Sequence, residues 1–280
     1  MTGNTVGILA GGGPLPFQVA ECVLRQGREV FIVGFQDFVD LDQIRHWPHR
    51  IIRLAAAGEI LSSLQQAGCG DIVLIGPVRR PALRDLRPDA EGARLLARVG
   101  RALFSGDDGL LGALVRIFGE EGFRVRGAHE FLTHSLGRVG ALGNVQPDAQ
   151  AMNDIARGVA VVRGLGALDI GQGCIVQDGL VLAVEAIEGT DQMLERAARL
   201  RQPGPGGVLV KMLKPGQEAR ADMPTIGPNT VVNAQAAGLR GIAFETGFTL
   251  LTDPAECEAT ADRLGLFLYG LSRAEIQGAG

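Results

Sequence analysis

Only two of the 27 basic residues in this 280-residue chain are lysines, and they stand three apart in Lys211-Met-Leu-Lys214. An ammonium is a compact, mobile point charge, whereas a guanidinium is a planar fork. Lysine kept against so strong a bias toward arginine points to a site that needs the smaller cation. The apolar, mostly β-branched stretch Val208–Val210 puts Lys211 at the end of a strand and Lys214 in the loop beyond it. Asp222 follows eight residues after Lys214, and Met223-Pro224 comes next rather than an amphipathic helix. A carboxylate near two ammonium groups suits metal-assisted phosphoryl chemistry. Hard divalent cations such as Mg²⁺ take a few carboxylates and complete their shell with phosphate oxygens. Further acidic candidates are Glu185, Glu188, Asp191 and Asp169, together with Asp107-Asp108. Asp108 and Asp191, taken alone, read as helix caps. His46 and His49 flank Trp47-Pro48 and read as a surface loop rather than a metal site.

A second chemical feature lies near the start, where Gly11-Gly-Gly-Pro14-Leu-Pro16 follows the apolar strand Val6–Ala10. Glycine lets backbone approach a ligand, and a helix N-terminus offers N–H groups to phosphate. The dinucleotide fingerprint is incomplete, because Pro16 stands where its third glycine would be. In an open α/β sheet, ligands meet the carboxyl ends of the strands. Those ends carry Gly11 to Pro14, Gly76 to Arg80 (including Val78 and Arg79) and Gly127 to Glu130 (including His129).

These groups need elements to hold them. Residues 1–132 alternate strands and helices: strands at Val6–Ala10, Glu29–Phe35, Ile51–Leu54, Asp71–Gly76 and Phe123–Gly127, helices at Phe17–Gln26, Glu59–Ala67, 91–103 and 108–121. That order implies a Rossmann-like, mostly parallel sheet. Residues 133–146 are glycine-rich and aperiodic and read as a linker. Residues 147–280 read as a C-terminal α/β domain. It opens with a helix over 147–168 and a strand pair, Cys174–Gln177 and Leu180–Glu185, around the turn Asp178-Gly179. Next come a helix over 190–201, the Val208–Lys211 strand and a helix after the Asp222 loop. Strands at Gly241–Glu245 and Phe248–Leu251, a helix at 254–264 and a strand at 266–271 complete the domain.

Composition narrows the function classes. A net charge of -4, a pI near 5.6 and 5% aromatic residues argue against nucleic-acid binding. Cys22, Cys69, Cys174 and Cys257 show no paired spacing and read as free, buried thiols in a reducing compartment. The most apolar runs are strand-length and no secretory signal is visible, so a soluble cytoplasmic protein is expected.

Seven segments together carry a resemblance. They are Gly7–Pro16, Gly106–Leu111, Glu121–Glu130, Leu168–Gly173, Val184–Leu194 (containing Glu-Gly-Thr-Asp), Lys214–Gln217 and Asp222–Gly227. Over essentially the whole chain they resemble the LpxI-type UDP-2,3-diacylglucosamine pyrophosphatases of bacterial lipid A synthesis. Pro77 is a departure, since relatives often carry a polar side chain there. The resemblance implies a two-domain, Mg²⁺-dependent enzyme (or one using another divalent cation) with its active site between the domains. Water would attack the β-phosphorus and release UMP and 2,3-diacylglucosamine 1-phosphate. It implies that Asp222 binds metal or orients water, and that Lys211 and Lys214 neutralise charge on the diphosphate. Glu185 and Asp191 become further metal candidates. Gly11, Gly12, Gly13, Pro14, Val78, Arg79, His129, Gln172, Glu188, Thr190 and Thr225 become candidate substrate contacts. The expected partners are the UDP-lipid substrate, the inner-membrane surface as a peripheral contact, and a second copy in a homodimer. The rival readings are a non-catalytic nucleotide-sugar binding protein on the same fold and a nicotinamide-dependent oxidoreductase. The incomplete fingerprint and the lack of a Tyr-x-x-x-Lys pair count against the last.

Overall fold

The computed structural model describes residues 3–79, 88–100 and 107–279; the side chains of residues 96, 99, 107 and 108 lie outside that description. Arg80, the end of the helix expected to reach residue 103, and the side chains of Asp107 and Asp108 therefore fall outside the described residues. The chain divides into two compact units, residues 1–132 with 218–222 and residues 133–217 with 223–280.

The first unit is built on five parallel strands: β1 (Thr5–Ala10), β2 (Glu29–Phe35), β3 (His49–Ile52), β4 (Cys69–Ile75) and β5 (Arg124–Val125). Their spatial order is β3-β2-β1-β4-β5, so the direction of winding reverses between β1 and β4. Helices α1 (Leu15–Arg25), α2 (Leu41–Ile44), α3 (Ala57–Gln66), α4 (Ala90–Val99) and α5 (Asp107–Glu120) connect them. Central β1 is buried along its whole length, which is why it reads as a continuous apolar run rather than an alternating one. Edge strand β3 begins two residues before the apolar pair Ile51-Ile52. Its pairing with β2 runs from Ile32↔His49 to Phe35↔Ile52, so β2, not local hydrophobicity, sets its ends.

The second unit carries a six-stranded mixed sheet in the order β6-β13-β11-β9-β7-β8. The strands are β6 (Gly140–Leu142), β7 (Gly173–Gln177), β8 (Leu180–Val184), β9 (Val208–Lys211), β11 (Gly241–Glu245) and β13 (Phe267–Leu271). Between them in sequence, β10 (Thr225–Ile226) and β12 (Leu250–Leu251) form a separate two-stranded parallel pair. Strands β9, β11 and β13 run parallel, with β7 and β6 antiparallel at the flanks. The expected linker thus contains β6, an edge strand of this sheet.

Alternation along the strands sorts the core into two layers. Val208, Val210, Ala243 and Phe267 join Ile155 and Val159 of α6 (Ala149–Ala167) on one face. Leu209, Ile242, Phe244 and Leu268 join α7 (Gly189–Ala198), α8 (Pro228–Ala236) and α9 (Pro254–Leu264) on the other. Phe244 and Phe267 are fully buried, each contributing about 1.5–3 kcal/mol by the burial of its ring. A last helix, α10 (Arg273–Gly278), starts with a capping box between Ser272 and Glu275.

The β7–β8 hairpin turns at Asp178 and Gly179, both with positive φ, as an Asp-Gly type I′ turn requires. It is also fastened from below. Asp154 of α6 is fully buried, and its two oxygens accept from the Asp178 N–H (3.0 Å) and the Gly179 N–H (2.7 Å).

In the first unit, Asp71 at the start of β4 is the counterpart. It is 1% exposed and faces Arg124 (2.5 Å), Arg28 (2.8 Å) and Arg126 (3.6 Å). Burial pushes its carboxyl upward, but the hydrogen bonds from Arg124 and Arg28 outweigh that and hold it below the usual carboxylate range. A carboxyl depressed in the folded state contributes stability that is present above its unfolded pKa, about 3.9, and lost as pH falls through the folded value. Asp71→Asn should therefore cost about 2 kcal/mol at pH 7 and lose less further stability than the parent chain on acidification to pH 3. Urea titrations at both pH values check this; parallel acid losses in the two proteins would refute it.

Candidate active site

The lysine loop is a product of strand order. In β9, Lys211 alternates with Val210 and so points to the α7–α9 face, where the N-terminus of α7 arrives. Lys211 is 6% exposed, and its ammonium donates to the Thr190 hydroxyl (2.7 Å) and the Thr225 carbonyl (3.1 Å). The Thr190 hydroxyl donates in turn to Glu185 Oε1 (2.7 Å). Glu185 is 5% exposed, and its Oε2 is buried with no hydrogen-bond partner among the described residues. A chain of ammonium, hydroxyl and carboxylate results, with an open carboxylate oxygen at its end. Among the described residues no carboxylate pairs directly with Lys211, so its charge meets only neutral oxygens.

Lys214 has a different environment. Its ammonium pairs with Asp169 (2.6 Å), a residue held at φ 52° just after α6. Gln217 Oε1 accepts from the Lys214 N–H (2.9 Å), and the Gln172 carbonyl accepts from the Met212 N–H (3.0 Å). Gln172 and Gln217 also meet through their side chains at 3.5 Å. The third amide of the loop, Leu213 N–H, donates to Glu245 at the end of β11 (3.2 Å). Burial pushes the Glu245 carboxyl above its ordinary value.

Two other acidic candidates are engaged elsewhere. Glu188 pairs with Arg196 of the same helix (2.5 Å), and Asp191 accepts from Asn233, joining α7 to α8 (3.0 Å). Thr225 lies in β10 and supplies its carbonyl to Lys211. Thus Lys211, Thr190, Glu185 and Thr225 form one group, Gln172, just before β7, bonds to the loop that carries Lys214, and Glu188 and Asp191 sit on the surface of α7.

Asp222 belongs to the first unit, in the short segment 218–222. Ala221 packs on that unit's core, and the Asp222 N–H bonds to the Glu218 carbonyl. In the same unit, Glu130 accepts from the Gly127 N–H (2.7 Å) and Arg126 Nε (2.6 Å), and its charge also acts on Arg220. His129 is half-buried, with Nδ1 lacking a partner among the described residues. Strand β5 stops beside Ile72, three residues short of the end of β4 at Ile75.

The glycine turn has a structural reason of its own. Gly11 N–H bonds to the Ile75 carbonyl (2.9 Å) and Gly12 N–H to the Pro77 carbonyl (3.0 Å). A Cβ on Gly11 would lie 2.4 Å from the Gly76 oxygen, so glycine is needed for contact between the two strand-end loops themselves. Pro14 caps α1 without a side-chain bond, Pro16 lacks an N–H, and the Phe17 N–H bonds back to Pro14. Few donors of this helix N-terminus remain for an anion. Val78 is partly buried against the core, and Arg79 is exposed. Among the described residues, no group of three or more His, Cys, Asp or Glu is placed to hold a metal ion. The four cysteines are free and buried.

Sequence reasoning missed Glu245 and Asp154. Glu245 was findable as a carboxylate closing an apolar strand; Asp154, one helical residue among many, carried no such signal.

Comparison with known proteins covers nearly the whole chain. The LpxI N-terminal domain model matches residues 5–135 and the LpxI C-terminal domain model matches residues 138–269. The UDP-2,3-diacylglucosamine pyrophosphatase LpxI of Caulobacter vibrioides is 41% identical over 276 residues, which is 96% of this chain and 98% of that protein.

The Thr190 hydroxyl joins two buried charged groups, so its loss leaves both short of a partner. Thr190→Val should cost about 2–3 kcal/mol in chemical denaturation, while Thr190→Ser, which keeps the hydroxyl, should cost under about 1 kcal/mol. Equal losses in the two variants would show that the methyl packing, not the hydroxyl, matters.

Proposed function

Because the chain belongs to the LpxI family, we propose that it hydrolyses the diphosphate of UDP-2,3-diacylglucosamine to UMP and 2,3-diacylglucosamine 1-phosphate in lipid A synthesis. The observation that carries this reading is the buried Lys211 ammonium, bonded among the described residues to neutral oxygens, in a chain related end to end to a UDP-2,3-diacylglucosamine pyrophosphatase. Such a cation keeps its charge for an anionic ligand, and the diphosphate is the anionic part of this substrate.

Water attacks the β-phosphorus. A new P–O bond forms there, the bond from that phosphorus to the bridging oxygen breaks, and the bridging oxygen leaves with UMP. Lys211 stabilises the negative charge that grows on the diphosphate oxygens, held in place by Thr190 and Thr225. Lys214, already paired with Asp169, keeps the loop in register and adds positive potential.

The donor set suits Mg²⁺ or another hard divalent cation. Such an ion needs one or two carboxylates when the substrate supplies phosphate oxygens, so a group of three protein ligands is not required. The open oxygen of Glu185 is one candidate ligand, and Asp222 is a second candidate carboxylate. Bound there, it would neutralise diphosphate charge and ease deprotonation of a water. The alternative role for Asp222 is to orient the attacking water.

Among the described residues no helix is long and apolar enough to cross a membrane. Leu168, Ile170 and Ile187 are exposed beside Asp169 and Glu185 in sequence, and support a peripheral contact with lipid. We place the protein in the cytoplasm, at the inner membrane surface.

One experiment tests the reaction and the metal together. Purified protein is incubated with the UDP-lipid in ¹⁸O-water, with Mg²⁺ or with EDTA. UMP should appear only with Mg²⁺, and the label in the lipid 1-phosphate. No UMP in either arm leaves a binding protein, equal rates remove the metal, and label in UMP reverses the point of attack.

Asp222→Ala should lower kcat on the order of 10²–10³-fold with KM little changed, because positioning metal and water acts mainly in the transition state. Its thermal midpoint should stay within a few degrees of the parent. A destabilised but fully active variant would instead make Asp222 a loop cap.

A further inference from the structure

We infer that Glu245 is a positioning residue for the two-lysine loop, setting where Lys211 and Lys214 stand by holding the backbone between them. The inference rests on the phosphoryl-transfer reading given above. Residues 212–214 carry the chain from one face of the sheet to the other. Lys211 points to the α7–α9 face, whereas Lys214 reaches Asp169 at the end of α6. Each amide in that crossing is held by an acceptor from a different place: Met212 by the Gln172 carbonyl, Lys214 by the Gln217 side chain and Leu213 by Glu245.

Glu245 is the charged member of this set, and charge-assisted hydrogen bonds are about twice as strong as neutral ones. It alternates with Phe244 in β11, so it lies on the α6 face, opposite Lys211. It therefore does not touch Lys211 or form part of the Glu185–Thr190 chain. The positive groups that act on it are Arg163 of α6 and Arg273 of α10. Arg163 is itself tied to the Ile276 carbonyl (3.1 Å), which joins α6 to α10. A half-buried carboxylate between these helices and the loop is costly unless it accepts a hydrogen bond, and Leu213 provides one.

The function of the clamp follows from tolerance. A displacement of about 1 Å in a group that stabilises the transition state can cost on the order of 10²-fold in rate. Freeing Leu213 lets the whole crossing shift, and both ammonium groups with it.

Glu245→Ala and Glu245→Gln in the full-length protein test this by two measurements. Amide hydrogen exchange at Leu213 should speed up at least about tenfold in Glu245→Ala, and by only a few-fold in Glu245→Gln, whose neutral carboxamide oxygen still accepts but more weakly. Turnover of UDP-2,3-diacylglucosamine should fall about 10–100-fold in kcat in Glu245→Ala, with KM within about threefold, and recover to within about threefold of the parent in Glu245→Gln. Should Glu245→Ala fail to fold, Glu245→Met keeps the volume, removes the acceptor and is read the same way. Unchanged exchange at Leu213 overturns the clamp. Faster exchange with unchanged kcat overturns its role in positioning. If the parent protein releases no UMP, the reaction assignment fails while the exchange result still decides the clamp.

Discussion

The buried Lys211 ammonium, which has no directly paired carboxylate among the described residues, is a constraint on which the second unit is built. Taking a charge out of water costs several kcal/mol even after relaxation, so the fold must return oxygens to it. Lys211 gets two, from opposite directions in sequence. Thr190 has one hydroxyl proton and gives it to Glu185, which turns its lone pair toward the ammonium. Thr225 must then present its carbonyl, and the two-residue strand β10, anchored on β12, keeps that backbone in place. Negative charge is thereby kept two hydrogen bonds away, near enough to compensate in part and too far to quench the cation.

The other lysine shows what a quenched cation looks like. Lys214 meets Asp169 directly, and the pair closes the end of α6 onto the loop. Two residues of one type, three apart, thus divide the work. Among the described residues one meets neutral oxygens, and the other pairs with a carboxylate that fixes the loop. Asp154 and Asp71 apply the same economy to structure, each placing a buried carboxylate where backbone amides or guanidinium groups already converge.

Much of the scaffold was legible because parallel strands buried on both faces are written as unbroken apolar runs. Glu29–Phe35, Val208–Lys211 and Gly241–Glu245 match their observed ends, as does the helix Pro254–Leu264 between its Asp253 cap and Gly265. Short edge elements were not legible. Strand β6 is Gly-Ala-Leu, too brief for any period, and exists because β13 offers it a ladder. The strand expected at Phe248–Leu251 shrinks to two residues and pairs with β10 rather than with the main sheet. Helix α10 did have a local signal, Ser272-x-x-Glu275, although its six residues carry little periodicity.

The sequence by itself determined the α/β character of both halves, the Asp-Gly turn, and the residue types from which the family and its phosphoryl chemistry can be read. Only the tertiary structure decided their partners. Glu185, Thr190, Lys211 and Thr225 are drawn together by strand order, Glu245 clamps a loop 32 residues away, and Gly11 proves to be packed against Gly76. The physical reason is range. Periodicity and capping act over a few residues, whereas the position of a charge inside a sheet depends on which strands pair, and that is settled by burial of the whole core.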